Sequence, residues 1–224
     1  MPVRSDDESW PEWLRPLVRA ARGVDRWDFA RFPSPAEGSR ESAVLMAMSD
    51  MGAGPGLLLI ERALNLRTHA GQVAFPGGAV DPGDVDPTAT ALREANEEVG
   101  LDPATVVVAA TLPSLFLPPS GFVVHPVLAW WARPHPVRVV DAAEVAGVAI
   151  VPVAELAEPA NRFQVVHPSG FVGPGFTAGG LFVWGFTAAL IDGLLQLGGW
   201  AREWDRNAVR PIPAPSETLG TVEP

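Results

Sequence analysis

The sequence predicts an α/β or α+β sandwich, and three observations carry that expectation. Short apolar runs of strand length alternate along the chain with two or three stretches of helical period. Hydrophobic residues make up 47% of the 224 positions, enough for a full core at this length. The longest apolar run, residues 181–191, ends at Asp192 and is too short to span a bilayer.

The elements follow in order. Residues 1–9 are polar and read as loose. Residues 10–22 form an amphipathic helix: Trp10, Trp13, Leu14, Leu17, Val18 and Ala21 share one face, with Arg15, Arg19 and Arg22 mostly off it. A Pro/Gly/Ser stretch follows over residues 32–39. Residues 43–48 and 57–60 read as strands joined by a Gly-rich hairpin loop; Pro55 breaks the helix that a dinucleotide fingerprint would need there. Residues 86–99 give the clearest helix. Asp86 can cap it, Pro87 fits its first turn, and Gly100 suits a left-handed stop.

Residues 105–110, 122–131 and 146–151 read as strands, and 152–156 as a helical turn. A last strand over 181–183 and a mostly apolar helix over 184–197 complete the set. From Ala201 on, polar residues with Pro211, Pro213 and Pro215 predict a disordered tail. The run P-S-G-F-V occurs at residues 119–123 and again at 168–172, which is recurring turn chemistry rather than a duplication.

Three residue types are absent, and each absence removes a chemistry. The chain has no Cys and no Tyr, and all 16 of its Lys+Arg residues are Arg. Disulfides, thiolate nucleophiles, zinc fingers, Schiff bases and a P-loop lysine are therefore excluded. Any phosphate must be met by Arg, backbone N–H groups or a metal ion. The net charge of −10 argues against binding nucleic acid or an anionic membrane. An anionic small substrate stays compatible, because a bound cation inverts the local field. Asp6, Asp7 and Glu8 stand where a signal peptide would have its charged and apolar regions, so a cytoplasmic location is expected.

The chemistry concentrates in residues 75–101, F-P-G-G-A-V-D-P-G-D-V-D-P-T-A-T-A-L-R-E-A-N-E-E-V-G-L. Glu94, Glu97 and Glu98 stand at i, i+3 and i+4, which puts three carboxylates on one helix face. Leu92, Ala95 and Val99 fall on another face, suited to the core. The acidic face could simply be solvated. It could instead hold a divalent cation, and oxygen-only ligands suit Mg²⁺ or Mn²⁺ rather than Zn²⁺. Arg93 can brace a carboxylate. Gly77 and Gly78 let backbone approach a metal or phosphate.

This segment resembles the Nudix box, G-x5-E-x7-R-E-U-x-E-E-x-G-U with U aliphatic. Every fixed position from Arg93 to Leu101 matches, with Ala95 as a small U. In the first half, counting from Gly78, the acid is Asp84 rather than Glu, and eight residues rather than seven precede Arg93. Upstream, L-R-T-H-A-G-Q-V-A-F-P-G-G at residues 66–78, with Leu58, Leu59 and Arg62 before it, is similar to the signature of the coenzyme A pyrophosphatase branch of Nudix hydrolases. Ile60 and Ala63 replace that signature's Thr and Ser, and Gly147 stands where the branch usually has Glu. The run W-G-F-T-A at residues 184–188 also resembles this branch, and the resemblance spans roughly residues 40 to 195.

The resemblance implies an α/β/α sandwich with a mixed central sheet. It divides the chain into a helical segment (residues 1–30), a Nudix hydrolase domain (31–200) and the tail (201–224). It also implies a pyrophosphohydrolase needing Mg²⁺ or Mn²⁺, held by Glu94 and Glu98 with Glu97 and the Gly78 carbonyl. Glu97 is then the candidate base and Glu144 the distant alternative, with Arg93 orienting a carboxylate. Arg62, Arg67 and His69, with Phe75 and Gly77, make up the substrate-binding set. Arg67 and His69 could equally anchor the loop before the box, and Gln72 is expected to satisfy backbone.

The expected substrate is coenzyme A or an acyl-CoA. Alternatives are ADP-ribose, NADH, a nucleotide sugar or a nucleoside triphosphate, or a sensor role without catalysis. By analogy with dimeric relatives, the first and last helices are candidate homodimer elements.

Overall fold

A computed structural model describes residues 9–24, 38–118, 120–167, 170 and 172–213. Pro119 of the first Pro-Ser-Gly-Phe-Val run and Pro168, Ser169 and Phe171 of the second fall outside these, as do the first eight residues, residues 25–37 with most of the Pro/Gly/Ser stretch, and the last eleven residues. In chain order the described elements are α1 (Arg15–Arg22), β1 (Arg40–Asp50), β2 (Pro55–Arg62), β3 (Val73–Ala74), β4 (Gly77–Ala79), α2 (Pro87–Val99), β5 (Val106–Thr111), β6 (Leu115–Leu117), β7 (Phe122–Trp131), β8 (Val145–Pro152), α3 (Val153–Ala157), β9 (Arg162–Val166), β10 (Val172–Ala178), β11 (Leu181–Val183), α4 (Gly185–Leu197) and β12 (Val209–Arg210).

β1 is the spine of an eight-stranded mixed sheet ordered β3-β2-β1-β7-β5, with β4 on β1, β6 on β7 and β8 on β2. β7 runs parallel to β1 along its length, from Arg40 opposite Phe122 to Met48 opposite Trp130. The other edge of β1 is shared. β2 pairs with its C-terminal end, Met48 opposite Leu57, and β4 with its N-terminal part, Ala43 opposite Gly78. Between the two, Leu45 N–H donates to the Pro76 carbonyl at 2.8 Å. This fork sets the Gly77–Gly78 step beside α2.

Both faces of the sheet are covered, which explains near-continuous apolar strands. Ala43, Leu45, Ala47, Leu58, Ile60, Val127, Ala129 and Trp131 pack with Ala91, Ala95 and Val99 of α2. Alanines on both surfaces let the helix lie close to the strands. The alternate residues, Met46, Met48, Leu57, Leu59 and Leu128, pack with Leu14, Leu17, Leu190, Ile191 and Leu194 of α1 and α4. The period of two along each strand thus sorts the side chains into two cores.

α2 ends where expected: Asp86 Oδ1 accepts from Ala89 N–H at 2.8 Å, and Gly100 takes a left-handed conformation at φ 71°. α1 is shorter than expected and begins at Arg15: Pro16 would lie inside a helix starting at Trp10, where it has no N–H to donate to the Glu12 carbonyl, while at the second position of the shorter helix it fits. Trp10 and Leu14 are buried all the same. The apolar faces of α1 and α4, expected as dimer elements, are spent on the core of the same chain.

A second sheet, ordered β11-β10-β9-β12, contains strands the sequence reading did not assign. Residues 201–213 also depart from the expected tail. Trp204 is buried, and β12 pairs in parallel with β9, Val209 opposite Gln164. Arg162, paired with Asp192 of α4, lies beneath the Trp204 ring at 4.8 Å from its centroid.

Candidate active site

The site is built on one turn of α2 and on the β4 step facing it. Glu98 points inward and is only 2% exposed. Its Oε2 accepts from Gly77 N–H at 3.0 Å, while its Oε1 is buried with no partner among the described residues. Burial pushes the carboxyl up to about 8, reinforced by the charges of Glu94 and Glu144 and opposed by the Gly77 N–H and Arg62. Glu94, also raised by burial, lies against Gly78: a Cβ there would stand 2.4 Å from Glu94 Oε1. Gly77 is needed for a different reason, since its Cβ would stand 2.3 Å from the Ala43 carbonyl oxygen.

Arg93 organises the outer carboxylates. Its Nε and Nη2 donate to Asp84 at 3.1 and 2.9 Å, its Nη2 to the Ala79 carbonyl at 3.0 Å, and its Nη1 to Glu94 and Glu97 at 3.0 and 2.9 Å. Asp84 also accepts from Asp81 N–H and Thr90 Oγ1, each at 2.9 Å. The Arg93 guanidinium therefore holds the Asp84 carboxyl well below the usual carboxylate range. The one-residue insertion is absorbed in the loop before α2, and Asp84 still reaches the arginine. Its position, with five residues between it and Gly78, was the sequence signal for this role.

The remaining expected residues fall in three places. Arg62 ends β2, its Nε buried with no partner among the described residues and its charge acting on Glu98. Glu144 is exposed just before β8; its charge bears on Glu94 and Glu98, and its carbonyl accepts from Ala63 N–H at 2.8 Å. Arg67 and His69 sit exposed in the loop between β2 and β3.

Two expectations are corrected. Phe75 is 3% exposed and packs in the core on the α1/α4 side, where it contributes to folding rather than to a ligand surface. Gln72, expected to satisfy backbone, has among the described residues a side-chain partner instead: its Oε1 lies 2.9 Å from His69 Nδ1.

Among the described residues no three acidic or histidine side chains converge into a ready cation site. Glu94 and Glu97 are held by Arg93 instead. The donors nevertheless fit a hard divalent cation. A buried carboxylate oxygen without a partner is costly unless it is protonated or meets a cation. Glu98 supplies that oxygen, Glu94 a second beside it, and Gly78 clears the space in which Glu94 lies. All the donors are oxygens, as Mg²⁺ and Mn²⁺ prefer.

No helix among the described residues is long and apolar enough to cross a membrane. Residues 39–170 match the NUDIX domain family. A protein of Escherichia coli (strain SMS-3-5 / SECEC), described as "Uncharacterized Nudix hydrolase NudL", is 41% identical over 167 residues, covering 71% of this chain and 83% of its own length. The NudL of Citrobacter koseri is likewise 41% identical, with the same coverage of 71% and 83%. The crystal structure of a NUDIX hydrolase from Nitrosomonas europaea shares the fold, with a TM-score of 0.50 at 11% identity over 79% of this chain and 81% of that one. The matched span contains the Gly77–Gly78 step, the carboxylate face of α2 and Glu144, and the chain belongs to the Nudix family of hydrolases acting on phosphoric anhydrides.

Proposed function

We propose that this Nudix hydrolase cleaves the diphosphate of coenzyme A or an acyl-CoA to 3′,5′-ADP and 4′-phosphopantetheine or its acyl form, using Mg²⁺ or Mn²⁺. The observation that carries the metal-dependent reading is the buried, unpaired Glu98 Oε1 beside Glu94 and Gly78. The coenzyme A assignment rests on the signature at residues 66–78. Its departures at Ile60 and Ala63 fall on buried side chains, where a hydroxyl would not meet substrate.

Glu94 and Glu98 would hold the cation, with Glu97 and the Gly78 carbonyl completing the set. What a bound cation supplies is charge neutralisation on the diphosphate oxygens and a lowered pKa for water. Water attacks one phosphorus, the bond from that phosphorus to the bridging oxygen breaks, and the proton of the water passes to a carboxylate. Glu97, exposed at the rim of the same helix face, is the candidate acceptor, and Glu144 the alternative. Arg93 keeps Glu94 and Glu97 oriented by its anchor on Asp84. Arg62, at the inner end of the following loop, supplies positive charge for the anionic substrate.

The test is a panel. The protein is incubated with Mg²⁺ and coenzyme A, acyl-CoA, NADH, ADP-ribose and nucleoside triphosphates, and products are identified by mass. Turnover of ADP-ribose or NADH without coenzyme A would move the substrate to another nucleoside diphosphate derivative. Tight binding of one of them with no turnover would make the protein a ligand sensor.

A further inference from the structure

Thr90 is fully buried, although it carries a hydroxyl and belongs to the helix that bears the site carboxylates. It stands one turn before Glu94 and three residues before Arg93. Its Oγ1 donates to Asp84 Oδ2 at 2.9 Å, while the Asp86 carbonyl, the usual acceptor four residues back for a helical hydroxyl, lies farther off at 3.5 Å. The Arg93 guanidinium keeps Asp84 ionised, and an ionised carboxylate only accepts, so the hydroxyl proton is committed to it.

The two oxygens of Asp84 are unequally loaded. Oδ1 accepts from Arg93 Nε at 3.1 Å, whereas Oδ2 accepts from Arg93 Nη2, Asp81 N–H and Thr90 Oγ1, each at 2.9 Å. Asp81 lies in the same loop as Asp84, whose neighbours Gly83 and Val85 are both exposed. Arg93 is itself the group to be placed. Thr90 is therefore the donor that ties the carboxylate to the frame of α2 independently of the loop and of the arginine. A buried, β-branched side chain makes a stiff anchor. It also meets the departure in the first half of the box, because Asp84 is one methylene shorter than a glutamate and one residue farther from Arg93. On the other side of the guanidinium, Nη1 donates to Glu94 at 3.0 Å and to Glu97 at 2.9 Å.

We propose that Thr90 is a positioning residue for the hydrolysis: its hydroxyl fixes Asp84 to α2, so that Arg93 holds Glu94 and Glu97 from a fixed point. This rests on the reading of the α2 carboxylates as the site of metal-dependent diphosphate hydrolysis, and adds to it the group that sets their aim. Thr90 acts through Asp84 and Arg93 alone.

The test compares wild type with Thr90→Val, which removes the hydroxyl and keeps the shape, and Thr90→Ser, which restores the hydroxyl. Thr90→Ala takes the place of valine if that variant does not fold. Turnover of whichever diphosphate of the substrate panel the wild type hydrolyses is read as kcat and KM, and Mg²⁺ affinity by calorimetry. In the cation-free protein, solvent exchange of the Arg93 Nε proton is read by ¹⁵N NMR. Outer partners of metal-holding groups are worth about 10- to 100-fold in metal affinity or activity. Thr90→Val should therefore lose about tenfold in kcat or in Mg²⁺ affinity, with KM within about twofold, and exchange its Arg93 Nε proton several-fold faster. Thr90→Ser should stay within about threefold of wild type in each reading. In an Asp84→Ala background, Thr90→Val should change kcat by less than about twofold, because the hydroxyl has lost the group it acts through. Thr90→Val with unchanged kcat, Mg²⁺ affinity and exchange, in an active wild type, would overturn this inference alone. So would an equal loss in Thr90→Ser, or a full further loss in the Asp84→Ala background. A wild type that hydrolyses no member of the panel would overturn it together with the proposed function.

Discussion

Replacing Gly78 by alanine separates the cation site from the fold. The new Cβ would stand 2.4 Å from Glu94 Oε1, 2.5 Å from its Cδ and 2.7 Å from Oε2, against about 3.4 Å for an ordinary contact. The Glu94 carboxylate must therefore retreat by about 1 Å, and misplacing a catalytic group by that much costs on the order of 10²-fold in rate. The carboxylate is the free end of a flexible side chain, so its retreat costs stability little, about 1 kcal/mol or less and a few degrees in melting temperature. Gly77→Ala is the contrast. Its Cβ meets main chain, the Ala43 carbonyl oxygen at 2.3 Å and Val44 Cα at 2.7 Å, and β4 would have to leave β1. That variant should lose about 3 kcal/mol. Steady-state turnover against Mg²⁺ concentration, with thermal unfolding of both variants, distinguishes the two glycines. Gly78→Ala within threefold of wild-type activity would refute the reasoning, and so would equal loss of stability in both.

Two other outcomes follow from buried charge. Glu98 has a folded-state pKa of about 8 against an ordinary 4.5. Its contribution to the cation-free protein is therefore full below about pH 4.5 and is lost as pH rises toward 8, by a few kcal/mol at most. Urea midpoints in EDTA should fall across that window in wild type and stay flatter in Glu98→Gln; parallel profiles would contradict the assignment. Asp192→Asn leaves Arg162 charged and buried beneath Trp204. It should cost about 3–5 kcal/mol, lowering the melting temperature by roughly 10 °C, with near-normal activity in the cold. A shift of a degree or two would show that the pair contributes little.

The helix that carries the chemistry was legible because its signals are local. Asp86, Pro87 and Gly100 are capping residues, and the i, i+3, i+4 carboxylates need only helical geometry to share a face. β1, β2 and β7 were legible as apolar runs because both faces of the sheet are buried. β9 and β10 were not. Arg162 reads as a surface residue until Asp192, thirty positions on, meets it in the core. Gly173, Pro174 and Gly175 are residue types that favour turns, yet they lie in β10, and Gly175 is where the Phe163 ring of the adjacent strand lies, with no room for a Cβ. Trp204 and β12 depend in the same way on partners distant in sequence. Within the site, the spacing of Glu94, Glu97 and Glu98 gave their common face but not their unequal burial. Glu98 inside and Glu97 at the rim follow from the fork of β1 that sets Gly77 over the helix. Phe75 was assigned to substrate by its motif neighbours, while the alternation of strand side chains sends it to the opposite core.

The central claim is that the α2 carboxylates hold the divalent cation on which diphosphate hydrolysis depends. Calorimetric titration of Mg²⁺ into wild type and Glu98→Gln, with kcat for coenzyme A measured on the same preparations, tests it most directly. The account predicts that Glu98→Gln folds, binds Mg²⁺ at least tenfold more weakly and loses on the order of 10²-fold or more in kcat. Unchanged Mg²⁺ affinity with activity within a few-fold of wild type would contradict it.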